Sequence, residues 1–444
     1  MFSMLQRTNR LLLPTAALVA AFAAGTTLAA DQFVPLLSYR VGAYAAGGSG
    51  IFGGYIDYMN YINMKEGGVN GVKLSWEECE TEYNNSRGVE CYERLKKQQG
   101  GASLVQPLST GITYSLIDRV AVDKVPMVTI GYGRTDAANG AVFPWVFPMI
   151  TTYWSQASTM IKYIAQKEGG EDKLKGKKIV HLYHDSAYGK EPIPVFEAYA
   201  KKDGFELTLL PVPLPGNEQQ SQWLQIRQIK PDYVILWGWG VMNPTSIKSA
   251  AKIGFPREKI IGVWWAGSEE DVIPAGDAAK GYTAAVFNVA GANLPLVQEI
   301  KRVVYAKGKG NMEDQSRVGS VYWVRGVVHG IITVEAIRTA QEHFGKGKVM
   351  NSDQVRWGLE HLTLDDARLK AINAAGMMPP MKMSCADHEG SGLVKFQTWD
   401  GKQWKIVTDW ITPDKTMIRQ MIEESANKYA KEKSITPRDC SKET

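Results

Sequence analysis

The 444-residue chain carries little net charge and no dense block of Lys or Arg. Its formal charge of +5 comes from 51 basic and 46 acidic residues, and Lys-rich stretches such as Lys173–Lys178 are typical of solvated surfaces. We therefore expect no nucleic-acid partner. A content of 44% hydrophobic and 22% charged residues is that of a soluble globular protein, and the length is enough for two lobes.

Long apolar runs are absent except at the N-terminus. Leu11–Ala24 follows Arg7 and Arg10 and is short for a membrane span of about 20 residues. Small residues then occupy the positions that signal peptidase requires, so residues 1–29 are predicted to be a cleaved signal peptide. Cleavage one residue later and a retained anchor helix are the alternatives. Loss of the two arginines would reduce the formal charge from +5 to +3.

Cysteine is scarce, with four residues in the whole chain: Cys79, Cys91, Cys385 and Cys440. An exported chain enters an oxidising compartment, so two disulfides are expected. Cys79 with Cys91 is the obvious local pair, and Cys385 with Cys440 would tie down the C-terminal tail, although three pairings are formally possible. No Cys-x-x-Cys spacing occurs, which argues against a zinc site.

Motifs of nucleotide-binding and hydrolytic proteins are also missing. The chain has no Gly-x-x-x-x-Gly-Lys loop, no His-Glu-x-x-His pair and no Gly-x-Ser-x-Gly elbow. The glycine pairs that start at Gly131 and Gly238 lack the third glycine of a dinucleotide fingerprint. His181, His184 and Asp185 resemble a metal site, but residues three apart on a strand face opposite sides, which favours a core histidine and a loop histidine. We expect no enzyme, metal or cofactor.

Alternating strand and helix patterns fill most of the chain. Short apolar runs predict strands at Val34–Val41, Val72–Trp76, Ser103–Leu108, Lys178–Tyr183, Glu206–Leu210, Asp232–Trp237 and Lys259–Trp265. Helical spacing lies between them, as in Tyr55–Glu66, and Ala43–Gly50 is predicted to be a glycine-rich turn. The pattern restarts near residue 150. It predicts an α/β protein with two doubly wound parallel-sheet lobes.

The end of the chain has a different pattern. Gly392–Trp399 and Trp404–Trp410 are β-like runs, and Asp400-Gly401 between them is a hairpin turn signal. From Asp414 the chain is polar with helical spacing. We therefore predict a β-hairpin followed by a helical tail.

Two short apolar runs end abruptly in small or hydroxyl residues. The first, Leu104–Thr113, leads into a predicted helix at Tyr114–Lys124, and the second is Pro126–Thr135. A strand that ends in hydroxyl residues just before a helix presents backbone N–H groups and a helix N-terminus at one point, which suits a carboxylate. We expect these two turns to hold a small acidic ligand.

Aromatic residues cluster at four predicted strand ends: Tyr132, Tyr188, Trp237, Trp239, Trp264 and Trp265. The carboxyl ends of strands in open α/β sheets border the ligand crevice. Rings at these ends would clamp an apolar or aromatic body by stacking. Packing between domains is the alternative for any one of them.

Six features occur in a fixed order along the chain: the export signal, Gly67–Val72, Ser109–Gly111, Val125–Val128, Asp185–Gly189 and Gly276–Gly281. Together they resemble the periplasmic solute-binding proteins of the leucine/isoleucine/valine type, which serve ABC importers. The likeness is close over residues 39–286 and looser beyond them. It implies a periplasmic, two-lobed protein with three crossings between the lobes, which close on a ligand by hinge bending.

The resemblance also implies lobe boundaries and site positions. Lobe one would comprise residues 31–150 and 282–380, lobe two residues 151–281 and 381–413, and a tail residues 414–444. The Cys79–Cys91 loop matches a disulfide that is common in the family. The positions that fall on the family's ligand contacts are, in chain order, Ser109, Thr110, Gly131, Tyr132, Gly133, Tyr188, Trp237 and Trp239.

The sequence departs from the family's amino-acid binders in two places. They usually carry Thr at the second turn, where this chain has Gly133, and an acidic residue near Trp264–Gly267 that pairs with the ligand ammonium. Here Glu269 and Glu270 come slightly late. Because a buried ammonium without a carboxylate partner is costly, we predict an aromatic or hydrophobic acid, delivered by a monomer to an ABC permease. A branched-chain or aromatic amino acid, or ligand sensing for a separate receptor, is the alternative.

Overall fold

A computed structural model describes residues 30–442, so the predicted signal peptide lies outside the described residues. The strands are β1 (Gln32–Ser38), β2 (Leu74–Glu80), β3 (Met127–Val128), β4 (Val146–Phe147), β5 (Lys178–His184), β6 (Glu206–Val212), β7 (Tyr233–Trp237), β8 (Ile260–Gly262), β9 (Thr283–Val286), β10 (Thr363–Leu364), β11 (Met381–Lys382), β12 (Lys395–Trp399) and β13 (Trp404–Ile406). The α-helices are α1 (Ala45–Glu66), α2 (Asn85–Leu95), α3 (Thr110–Asp123), α4 (Tyr153–Glu168), α5 (Ala187–Lys190), α6 (Ile193–Asp203), α7 (Gln220–Ile229), α8 (Met242–Lys252), α9 (Glu269–Val272), α10 (Pro295–Val303), α11 (Val321–Phe344), α12 (Ser352–Glu360), α13 (Asp366–Ala371) and α14 (Lys415–Glu432).

Lobe one is built on parallel strand pairing. β1 pairs with β2 in parallel along its whole length, and bridges from Leu36 to Gln106 and from Val105 to Met127 continue the pairing to β3 and β4. Helices α1 and α11 cross above these strands with their backbones in contact. The approach is so close that a Cβ on Gly54 would lie 1.9 Å from the Trp323 carbonyl oxygen. The glycine at this crossing lets the two longest buried helices approach closely.

Lobe two contains a seven-stranded sheet in the order β13–β12–β9–β8–β7–β5–β6. The strands from β9 to β6 are parallel, whereas β12 runs antiparallel to β9 and forms a hairpin with β13. The predicted α/β fold is confirmed, and the predicted terminal hairpin is present. Because β9 belongs to this sheet, the sheet of lobe two extends past residue 281, where the sequence had suggested its boundary.

The predicted glycine-rich turn at Ala43–Gly50 is wrong, because α1 already begins at Ala45. Helix propensity disfavours glycine, but here close packing requires it. A Cβ on Gly47 would lie 2.6 Å from the Trp239 ring, and one on Gly48 would lie 2.0 Å from the Tyr39 carbonyl oxygen. Gly47 therefore allows the start of α1 to contact Trp239 of lobe two, and Gly48 allows it to contact the residue that follows β1.

Two predicted strands are shorter than their apolar runs. Ser103–Leu108 makes single bridges on each side and does not form a regular strand. In the run Lys259–Trp265, strand β8 stops at Gly262, and Trp264–Ala266 forms a 3-10 turn. That turn directs the two tryptophans out of the sheet and toward lobe one.

Both expected disulfides are present, Cys79–Cys91 and Cys385–Cys440, with Cα atoms 5.6 Å and 5.5 Å apart. The helical tail that the sequence predicted is α14. It contacts both lobes, since the Asp414 amide donates to Ser158 Oγ (2.8 Å) and the Tyr429 hydroxyl donates to Asp118 Oδ1 (2.8 Å). The second disulfide holds the end of this segment.

Glu360 connects α12 to the tail and should contribute to stability in a pH-dependent way. Burial opposes its ionisation, but hydrogen bonds to His388 (3.3 Å) and Arg438 (2.5 Å) prevail and lower the pKa of Glu360 to about 2. Since the folded pKa lies below the unfolded one, the stabilisation is complete above about pH 4.5 and is lost as pH falls toward 2. We expect Glu360→Gln to lower the free energy of unfolding by about 3 kcal/mol at pH 7.

Urea denaturation at pH 7 and at pH 2.5 would measure this effect. The deficit of Glu360→Gln should fall to about 1 kcal/mol at the lower pH. Glu90→Gln, at an exposed position on α2, should match the wild type at both pH values. An equal deficit at the two pH values would contradict the assignment.

Candidate functional site

A cavity of about 320 Å³ lies between the lobes at the N-terminus of α3. Lobe one contributes Tyr83 and Ser109 to its wall, and lobe two contributes His184, Tyr188 and Trp239. Its volume lies at the small end of the range of about 300–1,000 Å³ that is usual for ligand pockets. Among the residues proposed from the sequence, Ser109, Tyr188 and Trp239 therefore meet at one cavity.

Ser109 is the N-cap of α3. Its backbone is extended (φ −154°, ψ 126°), and its Oγ accepts a hydrogen bond from the Ile112 amide (3.4 Å). An extended residue before a helix leaves the amide groups of the first turn without intrahelical acceptors, and Gly111 of that turn also borders the cavity. The wall therefore offers a hydroxyl group and the positive end of a helix, which favour an anion.

The two turns that the sequence singled out are in direct contact. The Gly133 amide donates to Thr110 Oγ1 (3.2 Å), which also lies 3.4 Å from the Tyr153 hydroxyl. The Tyr132 hydroxyl lies 3.1 Å from that of Tyr39. These polar groups lie behind the cavity wall and satisfy one another.

Gly131 joins the second turn to lobe two. Its carbonyl oxygen accepts hydrogen bonds from both Trp264 Nε1 (3.0 Å) and Trp265 Nε1 (2.7 Å). Trp265 also packs against Tyr132, with ring centroids 4.4 Å apart. Trp264 and Trp265 are fully buried and do not border the cavity, so in this structure their rings pack between the lobes.

The other two predicted tryptophans differ in position. Trp237 ends β7 and is buried in lobe two against Tyr153 (5.5 Å between centroids). Trp239 follows the strand, stacks with Tyr44 of lobe one and meets Trp265 edge-on, with centroids 6.1 Å and 5.4 Å away. Its Nε1 has no hydrogen-bond partner among residues 30–442, so this donor is available to a ligand.

Glu191 is a lobe-two residue that the sequence did not mark. Its carboxylate accepts hydrogen bonds from the Tyr114 hydroxyl (2.8 Å), the Thr135 amide (2.7 Å) and the Thr135 hydroxyl (2.6 Å), all in lobe one. Burial raises the pKa of Glu191 to about 7, although these hydrogen bonds oppose the rise. Glu191 therefore joins the two lobes through three hydrogen bonds, and we refer to this set of bonds as the latch.

Arg325 on α11 is the second residue that the sequence reasoning missed. It is fully buried, with Nε donating to Asn288 Oδ1 (2.9 Å) and Nη1 to the Trp264 carbonyl oxygen (2.9 Å). Burial lowers the pKa of Arg325 to about 10, so the side chain is still charged at neutral pH. A sequence signal did exist, because Arg325 is the single charged residue in the apolar run Val321–Val334.

The two histidines of the rejected metal motif point to different partners. His181 Nε2 lies 3.0 Å from the Gly189 carbonyl oxygen, and His184 Nε2 lies 3.0 Å from the Tyr44 hydroxyl. Both are buried, including His184, which the sequence had suggested to be a loop residue, and burial lowers the pKa of each to about 4. Within residues 30–442 no group of His, Cys, Asp or Glu is arranged to hold a metal ion.

Two lobes that share a central cavity, each with a sheet and flanking helices, have the architecture of a two-lobed binding protein. The chain matches the model of the periplasmic binding protein family over residues 31–403, and it belongs to that family. The predicted resemblance is thus confirmed, and family membership implies a periplasmic, solute-binding role. No helix within residues 30–442 has the length and apolarity to cross a membrane.

Solved structures agree with this assignment. A crystal structure described as an ABC transporter permease from the Pseudomonas fluorescens group is 50% identical, with 93% of this chain and 99% of that chain covered at a TM-score of 0.87. A branched-chain amino acid ABC transporter protein from Thermus thermophilus with bound valine is 20% identical (88% and 99% covered, TM-score 0.73). A solute-binding protein from R. palustris in complex with benzoate is 18% identical (86% and 97% covered, TM-score 0.66). The chain has no match among curated proteins.

Proposed function

We propose that this protein is the solute-binding component of an ABC importer and that it captures a small aromatic or hydrophobic carboxylic acid between its lobes. The observation that carries the proposal is the interlobe cavity, which brings the N-terminus of α3 together with the rings of Tyr188 and Trp239. An anion site and aromatic walls in one cavity match the two halves of such a ligand.

The carboxylate end would bind at the first turn. Ser109 and the first amides of α3 border the cavity directly. Thr110 and the Gly133 amide, now bonded to each other, would exchange that bond for bonds to the ligand oxygen atoms. Because hydrogen bonds to a charged acceptor are stronger than those between neutral groups, this exchange favours the bound ligand.

The apolar end would lie against lobe two. Tyr188 fixes its ring by donating its hydroxyl to the Gly238 carbonyl oxygen (2.9 Å), and Trp239 is held between Tyr44 and Trp265. Rings that are already held in place lose little conformational freedom when a ligand stacks on them. The benzoate complex of a relative and the valine complex of another show that this fold accommodates ligands of either kind.

Binding would proceed in two steps. The ligand carboxylate first meets Ser109 and Thr110 on lobe one, and lobe two then closes and brings Tyr188 and Trp239 over the ring. Closure forms the three hydrogen bonds of Glu191. The closed form would then dock on the permease and release the ligand there.

An amino-acid ligand remains the alternative, with Glu269 as the partner of its ammonium group. In the structure Glu269 accepts a hydrogen bond from the Val321 amide (2.9 Å) and does not border the interlobe cavity. This position favours the acid over the amino acid.

Substitutions at the cavity wall test the proposal. Ser109→Ala and Trp239→Ala should each weaken binding of the ligand at least about tenfold, since the first removes a cap and anion donor and the second removes a ring from the wall. Isothermal titration calorimetry measures the affinities, once mass spectrometry has identified the ligand that copurifies with the protein. Unchanged affinity in both variants would refute the site.

The chain offers matched controls for these variants. Ser115→Ala changes an exposed serine on the same helix, and Trp410→Ala changes a tryptophan outside the cavity wall. Both should retain wild-type affinity. A clear response to leucine or phenylalanine without a response to any aromatic acid would favour the amino-acid alternative.

A further inference from the structure

Arg325 places a permanent positive charge between the lobes, and one nitrogen of its guanidinium group makes no hydrogen bond to the protein. Its Nε and Nη1 donate to Asn288 and to the Trp264 carbonyl oxygen, but Nη2 has no hydrogen-bond partner within residues 30–442. None of the Asp or Glu residues in that range forms an ion pair with it. A buried charge without a counter-ion is strongly unfavourable, so a stable fold rarely retains one unless an anion joins it.

Aromatic rings hold this guanidinium group in place. Its Cζ lies 4.4 Å from the ring centroid of Trp265 and 4.5 Å from that of Phe287, distances that are typical of cation–π contacts. The rings stabilise the charge without neutralising it. The orientation of the planar group, including its free edge, is therefore fixed.

Arg325 lies close to the polar groups behind the cavity, because it stacks on Trp265, which packs against Tyr132 with ring centroids 4.4 Å apart. It opposes the rise that burial causes in the pKa of Tyr39 and of Tyr153. The Tyr153 hydroxyl in turn lies 3.4 Å from Thr110 Oγ1, at the first turn. The cavity wall carries neither Lys nor Arg. Trp265, on which the guanidinium group stacks, donates from Nε1 to the Tyr153 hydroxyl (2.9 Å), so a chain of contacts leads from Arg325 to the first turn.

The three carboxyl groups of α9 are already engaged by the protein. Asp271 accepts from Asn243 Nδ2 (2.7 Å) and the Tyr322 hydroxyl (2.9 Å), Glu269 accepts from an amide, and Glu270 pairs with Arg317. Burial raises the pKa of Asp271 and Glu269 to about 7, which further weakens them as acceptors for a cation. A ligand ammonium group would find no free carboxylate here.

We propose that Arg325 makes the cleft selective for a carboxylate that lacks an ammonium group. This inference rests on the proposed function and narrows its ligand to simple monoanionic acids, with zwitterionic amino acids excluded. Arg325 does not border the cavity, so it acts on the charge of the ligand through its contacts with Trp265, Tyr153 and Thr110. In a low-dielectric site such a charge acts over several ångströms.

The test compares acids with neutral analogues of the same shape. Benzoate and phenylacetate are titrated beside benzamide and phenylacetamide into the wild type, Arg325→Gln and Arg325→Lys, with L-phenylalanine as the zwitterionic probe. Arg325→Gln should weaken binding of the acids by about tenfold or more and change that of the amides by less than about threefold. Arg325→Lys, which keeps the charge, should retain the preference for acids.

Thermal unfolding of the ligand-free variants gives an independent readout. Arg325→Gln removes an uncompensated buried charge, so its melting temperature should equal or exceed that of the wild type. If Arg325 served only to stabilise the fold through its hydrogen bond to Trp264, its loss would lower the melting temperature. A marked fall in melting temperature would therefore overturn the proposal.

The binding outcomes separate this inference from the proposed function. Equal losses for acids and amides in Arg325→Gln, or tighter wild-type binding of L-phenylalanine than of phenylacetate, would overturn the role of Arg325 alone. A wild-type protein that binds none of the acids would overturn the proposed function as well.

Discussion

Gly133→Thr is expected to prevent full closure and to lower ligand affinity about a hundredfold. Threonine is the residue that amino-acid binders of this type usually carry at this position. A Cβ at this position would lie 2.1 Å from Glu191 Oε2 and 2.9 Å from Thr110 Cγ2. The flexible end of Glu191 would have to move, and its three hydrogen bonds to lobe one would break. At about 1 kcal/mol for each bond, their loss accounts for the expected change.

A double-mutant cycle gives this prediction its control. In a Glu191→Ala background the closest contact of the new side chain is removed, although the contact with Thr110 Cγ2 remains, so Gly133→Thr should cost much less affinity than it does in the wild type. Small-angle scattering would report the fraction of open molecules. If the losses of affinity caused by Gly133→Thr and Glu191→Ala were additive, Gly133 would not be needed to make room for the Glu191 side chain.

Ligand affinity should also fall as pH rises from 5 to 8, because closure takes up a proton at Glu191. Burial between the lobes raises the pKa of Glu191 to about 7, whereas a solvated glutamate in the open form titrates near 4.3. An acid whose pKa is raised on closure favours closure most at low pH, loses this advantage between about pH 4.3 and 7, and shows no further change above 7. The full span corresponds to a change in affinity on the order of a hundredfold.

Charged and phenolic groups of lobe one face this carboxyl group. Arg134 and Asp136, paired at 2.7 Å, and the Tyr114 phenol lie on the lobe-one side, and Asp136 raises the pKa of Glu191 further. Burial also raises the pKa of Asp271 and Glu269 to about 7, so any proton that they take up on closure is counted together with that of Glu191.

Calorimetry in buffers of different ionisation enthalpy would count these protons. Near pH 6, Glu191→Gln should reduce the uptake on ligand binding by up to one proton, and Glu197→Gln, at an exposed position on α6, should leave it unchanged. An identical proton count in Glu191→Gln and the wild type would exclude the latch as the source of the pH dependence.

Residues that are close in the chain supported the predictions that the structure confirms. The alternation of apolar runs and helical spacing led to the α/β fold, and the local Cys79–Cys91 pair was the obvious one. The wall position of Ser109 follows from its place at a strand-to-helix turn, which puts the α3 N-terminus at the edge of the sheet. The error at Ala43–Gly50 has a tertiary origin, because the glycines of α1 accommodate Trp239 and Tyr39 from other parts of the chain.

The tryptophans show where the sequence was ambiguous. Clustering at strand ends is compatible with a ligand wall and with packing between lobes, since both require large buried rings. The structure puts Trp239 at the cavity and packs Trp264 and Trp265 against Gly131. The 3-10 turn after β8, which no periodic pattern predicts, is what directs these two rings to the lobe junction.

The sequence by itself determined the family, the two-lobed α/β architecture and the turn at Ser109 and Thr110, because periodicity and turn chemistry depend on residues that are neighbours in the chain. Only the tertiary structure decided which groups act between the lobes. Glu191 meets partners 56 and 77 residues away, and Arg325 contacts a carbonyl oxygen 61 residues away. Whether a buried charge is paired depends on contacts between residues that are far apart in the chain. The spacing of neighbouring residues in the sequence does not predict such contacts.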